Sequence, residues 1–142
     1  MMVRVNPQFM QSDPTPMPHR VMLIDGSEAD LLYAEIMLQR CGEAWEISRF
    51  ESARAALAAL HDDAAADLIL LDINMPGLDG FGFLEAYERL PRRSRTPVVM
   101  LTSSPDPADR ARALRHRCVK DYLTKPLDRD AAASLAQLLV PG

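Results

Sequence analysis

Short apolar runs alternate along this chain with stretches in which apolar residues recur every three or four positions. Val21-Met22-Leu23-Ile24 is unbroken and stops at Asp25. Such a run predicts a strand covered on both faces. Ser27 then reads as a helix N-cap, with Glu28 and Asp30 favourable in the first turn. Leu31, Ala34, Leu38 and Cys41 follow at helical spacing, and Gly42 is a stop signal. Trp45 to Phe50 predicts a second strand, and Ser52 to His61 a helix with Ala53, Ala56, Leu57 and Leu60 on one side. Leu68-Ile69-Leu70-Leu71 predicts a third strand that ends at Asp72, before the turn Asn74-Met75-Pro76-Gly77. Phe83, Leu84, Tyr87 and Leu90 mark a third helix. Pro97 to Leu101 predicts a fourth strand, ending at Thr102. Asp106-Pro107 is a cap with proline at the first helical position, and Ala111 and Leu114 are that helix's apolar marks. Val119 to Leu123 predicts a fifth strand before Lys125-Pro126, and a last helix is expected from about Asp128 to Leu139.

Strict alternation of five strands and five helices predicts an α/β fold, a doubly wound parallel sheet with helices on both faces. In that architecture binding residues gather in the crevice past the carboxyl ends of the strands. Asp25, Asp72, Thr102 and Lys125 each lie at or just after a strand end, so two carboxylates, a hydroxyl and an ammonium are expected to converge.

Composition narrows the partners. The chain has 142 residues, one domain's worth, nearly half apolar and a quarter charged. Its formal charge of −4 speaks against general nucleic-acid binding, which draws on a basic surface. No apolar run approaches the ~20 residues of a membrane span, and no signal-peptide core stands at the N-terminus. The expectation is a cytoplasmic protein without membrane contact. Cys41 and Cys118 form neither a CxxC pair nor a disulfide framework and read as packing thiols. Residues 1–18 carry Pro7, Pro14, Pro16 and Pro18 and are read as a Pro-rich arm outside a domain spanning 19–142.

A carboxylate can attack phosphorus and form an acyl phosphate. Both partners are anionic, so the reaction needs positive charge on the phosphoryl oxygens. A Mg²⁺ held by one or two carboxylates, a lysine ammonium and a neutral hydroxyl donor can supply it.

The segment Asp72-Ile73-Asn74-Met75-Pro76-Gly77-Leu78-Asp79-Gly80 resembles the phosphoacceptor segment of the bacterial response-regulator receiver (CheY-like) family. Pro97 to Ser103 resembles that family's fourth strand with its hydroxyl. Asp121-Tyr122-Leu123-Thr124-Lys125-Pro126 resembles its fifth strand, aromatic switch residue and lysine. The likeness covers about residues 19–140. It implies a strand order of 2-1-3-4-5. It further implies phosphorylation of Asp72 by a histidine kinase or phosphotransfer protein, and Mg²⁺ held by Asp25, Asp72 and the Asn74 main-chain carbonyl. Thr102 and Lys125 would hold phosphoryl oxygens, Thr102 and Tyr122 would act as the switch, and Lys125-Pro126 would be a cis peptide. Such a domain is a signalling module, at most phosphorylating itself from small donors and dephosphorylating itself. With no output domain after the last helix, a stand-alone response regulator acting on an unknown downstream protein is expected, with homodimer formation open.

The family usually carries two adjacent acids after the first strand, and here the pair reads Asp25-Gly26. Gly26 offers no oxygen, so Mg²⁺ is expected to bind weakly. Water can replace the missing oxygen, or Glu28 can reach in. Alternatively the site works without metal, and the chain is a degenerate receiver acting as a phosphorylation-independent adaptor. A second departure precedes the fifth strand, where His116-Arg117 stands in place of a frequent glycine and predicts a rearranged helix end. A hydrolase of the haloacid-dehalogenase kind is disfavoured, because Asn74 stands where its second aspartate belongs.

Other features have plainer readings. His19, His61 and His116 lack metal spacing and read as surface or satisfied histidines. Arg89, Arg92, Arg93 and Arg95, and again Arg110, Arg112, Arg115 and Arg117, read as solvated charge, with the second group also suited to an acidic partner. Ala131, Ala132, Ala133 and Ala136 can either pack inward or pair the last helix with another chain.

Overall fold

The computed structural model describes residues 18–62, 64–90 and 96–139. The proposed arm to residue 17, Pro91 and Arg92 to Arg95 lie outside the described residues. Among the described residues five strands alternate with five helices: β1 (His19–Ile24), α1 (Glu28–Arg40), β2 (Trp45–Phe50), α2 (Ala53–His61), β3 (Leu68–Leu71), α3 (Gly80–Glu88), β4 (Val98–Thr102), α4 (Pro107–Leu114), β5 (Val119–Thr124) and α5 (Arg129–Leu135). A short 3-10 turn, Ala136–Leu139, prolongs the last helix. The strands are parallel, as their apolar runs predicted, in the order β2-β1-β3-β4-β5 that the resemblance implied.

Successive strand residues face opposite sides, and both sides are dry. Met22, Ile24, Ile69, Leu71, Val98, Met100 and Tyr122 point toward α2, α3 and Ala113 of α4. Val21, Leu23, Leu68, Leu70, Val99 and Leu101 point toward α1 and α5. This is why the three inner strands read as unbroken apolar runs, while the edge strand β2 carries exposed Glu46, Ser48 and Arg49.

Each helix begins on a side-chain cap. Ser27, Ser52, Asp79, Asp106 and Asp128 accept hydrogen bonds from Asp30, Ala55, Gly82, Ala108 and Ala131 main-chain N–H groups. These bonds fix where the chain turns from strand end into helix, and therefore where the strand-end side chains point. Gly42, at φ +94°, ends α1 in the left-handed conformation that only glycine adopts freely.

The sequence reading is corrected at α4. Ala111 and Leu114 are exposed, and Ala113 is the buried residue of this helix. An eight-residue helix with so few apolar side chains is seated by its arginines instead. The Arg112 guanidinium lies 4.0 Å from the centre of the Phe81 ring, and Arg110 lies 5.7 Å from that of Tyr122. Arg110 also donates to the Tyr122 carbonyl at 3.2 Å. These basic residues are therefore partly structural.

At the helix end before β5, Arg115 caps α4 in the right-handed conformation, at φ −72°. His116 N–H bonds back to the Ala113 carbonyl, and its ring Nδ1 lies 2.9 Å from Glu88 Oε1 at the end of α3. His116 is a satisfied histidine, as the sequence suggested. Of the last helix's alanines, Ala132 and Ala136 are buried and Ala131 packs partly against the α1-side core.

Candidate functional site

β1, β3 and β5 end at the same rim of the sheet, and each sends an ionisable side chain into it. Asp25 and Asp72 follow the last residues of β1 and β3 and are 6% and 5% exposed. Lys125 follows β5, and its ammonium reaches both, 2.6 Å from Asp25 Oδ2 and 3.4 Å from Asp72 Oδ2. The other oxygen of each carboxylate is fixed by main chain. Asp25 Oδ1 accepts from the Ser27 N–H at 2.9 Å, and Asp72 Oδ1 from the Ile73 N–H at 2.8 Å. A cis peptide joins Lys125 to Pro126, as the resemblance implied.

Thr102 closes β4 beside this group. Its side chain is fully buried, and its carbonyl accepts from the Lys125 N–H at 2.8 Å. Its hydroxyl accepts from the Ser104 N–H at 3.4 Å, and the Ser104 carbonyl accepts from the Tyr122 hydroxyl at 2.8 Å. Tyr122 is thus turned inward, 6% exposed, and tied through Ser104 to Thr102. The sequence marked both ends of that link but not Ser104.

Burial pushes the Asp25 carboxyl above its usual range, and the nearby Asp72 charge adds to the shift. Hydrogen bonds from Lys125 and the Ser27 N–H oppose it without cancelling it. Burial pulls the Lys125 ammonium down, but its bonds to Asp25 and Asp30 and the charge of Asp72 outweigh this, so it stays protonated more tightly than a free lysine.

Asp30 is a residue of this site that sequence reasoning passed over. It was read only as favourable in a first helical turn, yet its Oδ2 lies 2.8 Å from Lys125 Nζ. Glu28, offered by the sequence as one alternative to water, is exposed and lines a separate groove with Arg49, Phe50 and Glu51. The spacing Asp25 to Asp30 held a hint, since only Asp25, Gly26 and the cap Ser27 separate the strand end from the helix whose first turn carries Asp30.

The loop after β3 turns at Gly77 and closes on this rim at Gly80. Gly77 takes φ +78° in the turn. A Cβ on Gly80 would stand 2.4 Å from the Asp72 carbonyl oxygen and 2.8 Å from Ile73 Cα. So α3 starts directly on the backbone of Asp72, and its first N–H donates to the Ile73 carbonyl at 2.8 Å.

Residues 21–137 match the family described as the response regulator receiver domain. The chain belongs to that family. Among curated relatives, the sensor protein GacS of Pseudomonas syringae is 34% identical over 119 residues, covering 82% of this chain but 13% of GacS. The protein PilH of Pseudomonas aeruginosa is 26% identical over 123 residues, 87% of this chain and 98% of PilH. Among solved structures, a two component response regulator from Cytophaga hutchinsonii superposes with a TM-score of 0.80 at 26% identity, over 87% of this chain and 98% of that one. The Mn(2+)-bound form of response regulator Rcp1 superposes with a TM-score of 0.70 at 28% identity, over 85% and 91%. Receivers are signalling domains of two-component systems rather than turnover enzymes, and they generally bind Mg²⁺ at the phosphorylation site. Among the described residues no helix is long and apolar enough to cross a membrane.

The donor set of this receiver suits such a cation only sparingly. The buried carboxylates of Asp25 and Asp72 are hard oxygen ligands of the kind Mg²⁺ takes, and water would have to complete most of six positions. Among the described residues no three His, Cys, Asp or Glu side chains form a metal cluster, and Gly26 adds no side-chain oxygen.

Proposed function

We propose that this receiver accepts a phosphoryl group on Asp72 from a histidine kinase or phosphotransfer protein and signals through altered protein contacts. The observation that carries the reading is the meeting of Asp25, Asp72 and Lys125 at one rim, with both carboxylates within 3.4 Å of one ammonium. In the transfer, an Asp72 carboxylate oxygen forms a bond to phosphorus as the bond to the donor imidazole nitrogen breaks. The electron pair returns to that ring. Asp25, Asp72 and the Asn74 main-chain oxygen would hold Mg²⁺, which would supply positive charge against the phosphoryl oxygens. Lys125 follows the charge, leaving its carboxylates for a phosphoryl oxygen, and the Thr102 hydroxyl turns from Ser104 to donate to another. Releasing Ser104 loosens the partner of the Tyr122 hydroxyl, which couples the modified aspartate to the β5–α4 surface.

The test is incubation with Mg²⁺ and a small acyl phosphate, followed by intact-mass analysis. One added phosphoryl group is expected, absent from Asp72→Ala. No adduct at high Mg²⁺ refutes the reading.

A second reading is supported by Gly26. With no acid there, the domain would act as a phosphorylation-independent adaptor. It predicts partner binding indifferent to Asp72→Ala and to metal.

A further inference from the structure

Three carboxylates, not two, compete for Lys125. Its ammonium has three N–H donors. It lies 2.6 Å from Asp25, 2.8 Å from Asp30 and 3.4 Å from Asp72, so the acceptor aspartate holds it least closely. Asp30 is placed for this by the α1 cap. Its N–H donates to the Ser27 hydroxyl, while the Ser27 N–H fixes Asp25. One residue thus sets both acids that flank the lysine. The Asp30 side chain is 46% exposed, so its charge is cheap to keep, whereas the side chains of Asp25 and Asp72 are only 9% and 6% exposed.

We propose that Asp30 is a positioning residue that draws the Lys125 ammonium toward α1 and leaves the Asp72 carboxylate open to a cation and an incoming phosphoryl group. The phosphoryl half of this rests on the reading of Asp72 given above; the cation half does not. Without Asp30 a buried ammonium keeps only Asp25 and Asp72 as partners, and it regains its lost bond by closing on Asp72. There it occupies the lone pair that attacks phosphorus and repels a dication. Asp30 also brings the acids around the lysine to three despite Gly26.

The experiment is a double-mutant cycle of Asp30→Asn and Lys125→Met. It is read by calorimetric Mg²⁺ titration and by the rate of acyl-phosphate adduct formation at saturating Mg²⁺. With Lys125 present, Asp30→Asn weakens Mg²⁺ binding about three- to tenfold and slows the saturated rate. With Lys125→Met, the same change alters Mg²⁺ affinity less than about 1.5-fold, because the group it acts through is gone. Asp30→Glu, which keeps the charge, recovers the affinity. Equal effects in both lysine backgrounds mean a bare surface charge and overturn the proposal. So does an unaltered titration in Asp30→Asn, or no Mg²⁺ binding by the unmodified chain. If Mg²⁺ binds but no adduct forms on Asp72, the phosphoacceptor reading fails, and the Mg²⁺ cycle alone decides the role of Asp30.

Discussion

Gly80→Ala probes the contact on which the site's shape rests. The new Cβ would meet the Asp72 carbonyl oxygen at 2.4 Å and Ile73 Cα at 2.8 Å, both main-chain atoms. Carbon atoms pack at about 3.5–4.0 Å, so α3 or the end of β3 must move by at least about half an ångström. Neither moves freely. Leu71 and Ile73 are 0% and 3% exposed, and Phe81, Phe83, Leu84 and Tyr87 bury α3 against the sheet. Overpacking in such surroundings costs about 1–3 kcal/mol. The gain in helix propensity offsets at most about 1 kcal/mol, and less in the first turn. A net loss of about 2 kcal/mol corresponds to a fall of roughly 1–2 M in the urea midpoint for a domain of this size. Adduct formation on Asp72 should slow as well, because the displaced carbonyl belongs to the acceptor residue. Gly82→Ala is the control. Its Cβ would also meet an atom at 2.4 Å, but that atom is Leu78 Cδ1, the tip of a flexible side chain, so stability should change by less than about 1 kcal/mol. A midpoint for Gly80→Ala within about 0.3 M of the unmodified protein would refute the backbone-contact argument.

Gly26→Asp supplies the missing acid. The new Cβ would stand 3.2 Å from the Pro76 ring, which must yield slightly, and Mg²⁺ affinity should rise about tenfold by calorimetry; an unchanged titration would acquit Gly26. Burial and the neighbouring Glu88 push the Cys118 thiol from 9.0 up to about 12. The folded state keeps this proton where the unfolded chain loses it, so stability should fall as pH rises from about 9 toward 12. Unfolding curves between pH 8 and 10 should show a loss of about 1 kcal/mol that is missing from Cys118→Ala; the same slope in both chains would exclude Cys118 as its source.

Much of this receiver was legible in the order of its residues. Unbroken apolar runs such as Leu68 to Leu71 are written by burial on two faces, and capping residues such as Ser27 and Asp106 are read from local chemistry. Because parallel strands all end at one rim, placing Asp25, Asp72 and Lys125 at strand ends was enough to bring them together. The α4 face was misread because arginine stems and ring contacts, not an apolar stripe, seat that helix. Ser104 and Asp30 escaped for a related reason. Each acts through a partner that is distant in sequence, Tyr122 or Lys125, and no local pattern encodes which polar side chain a folded neighbour will meet. Periodicity and caps, which depend on near neighbours, belong to the sequence. The sharing of one ammonium among three acids belongs to the fold, because it depends on distances across the rim that only packing sets.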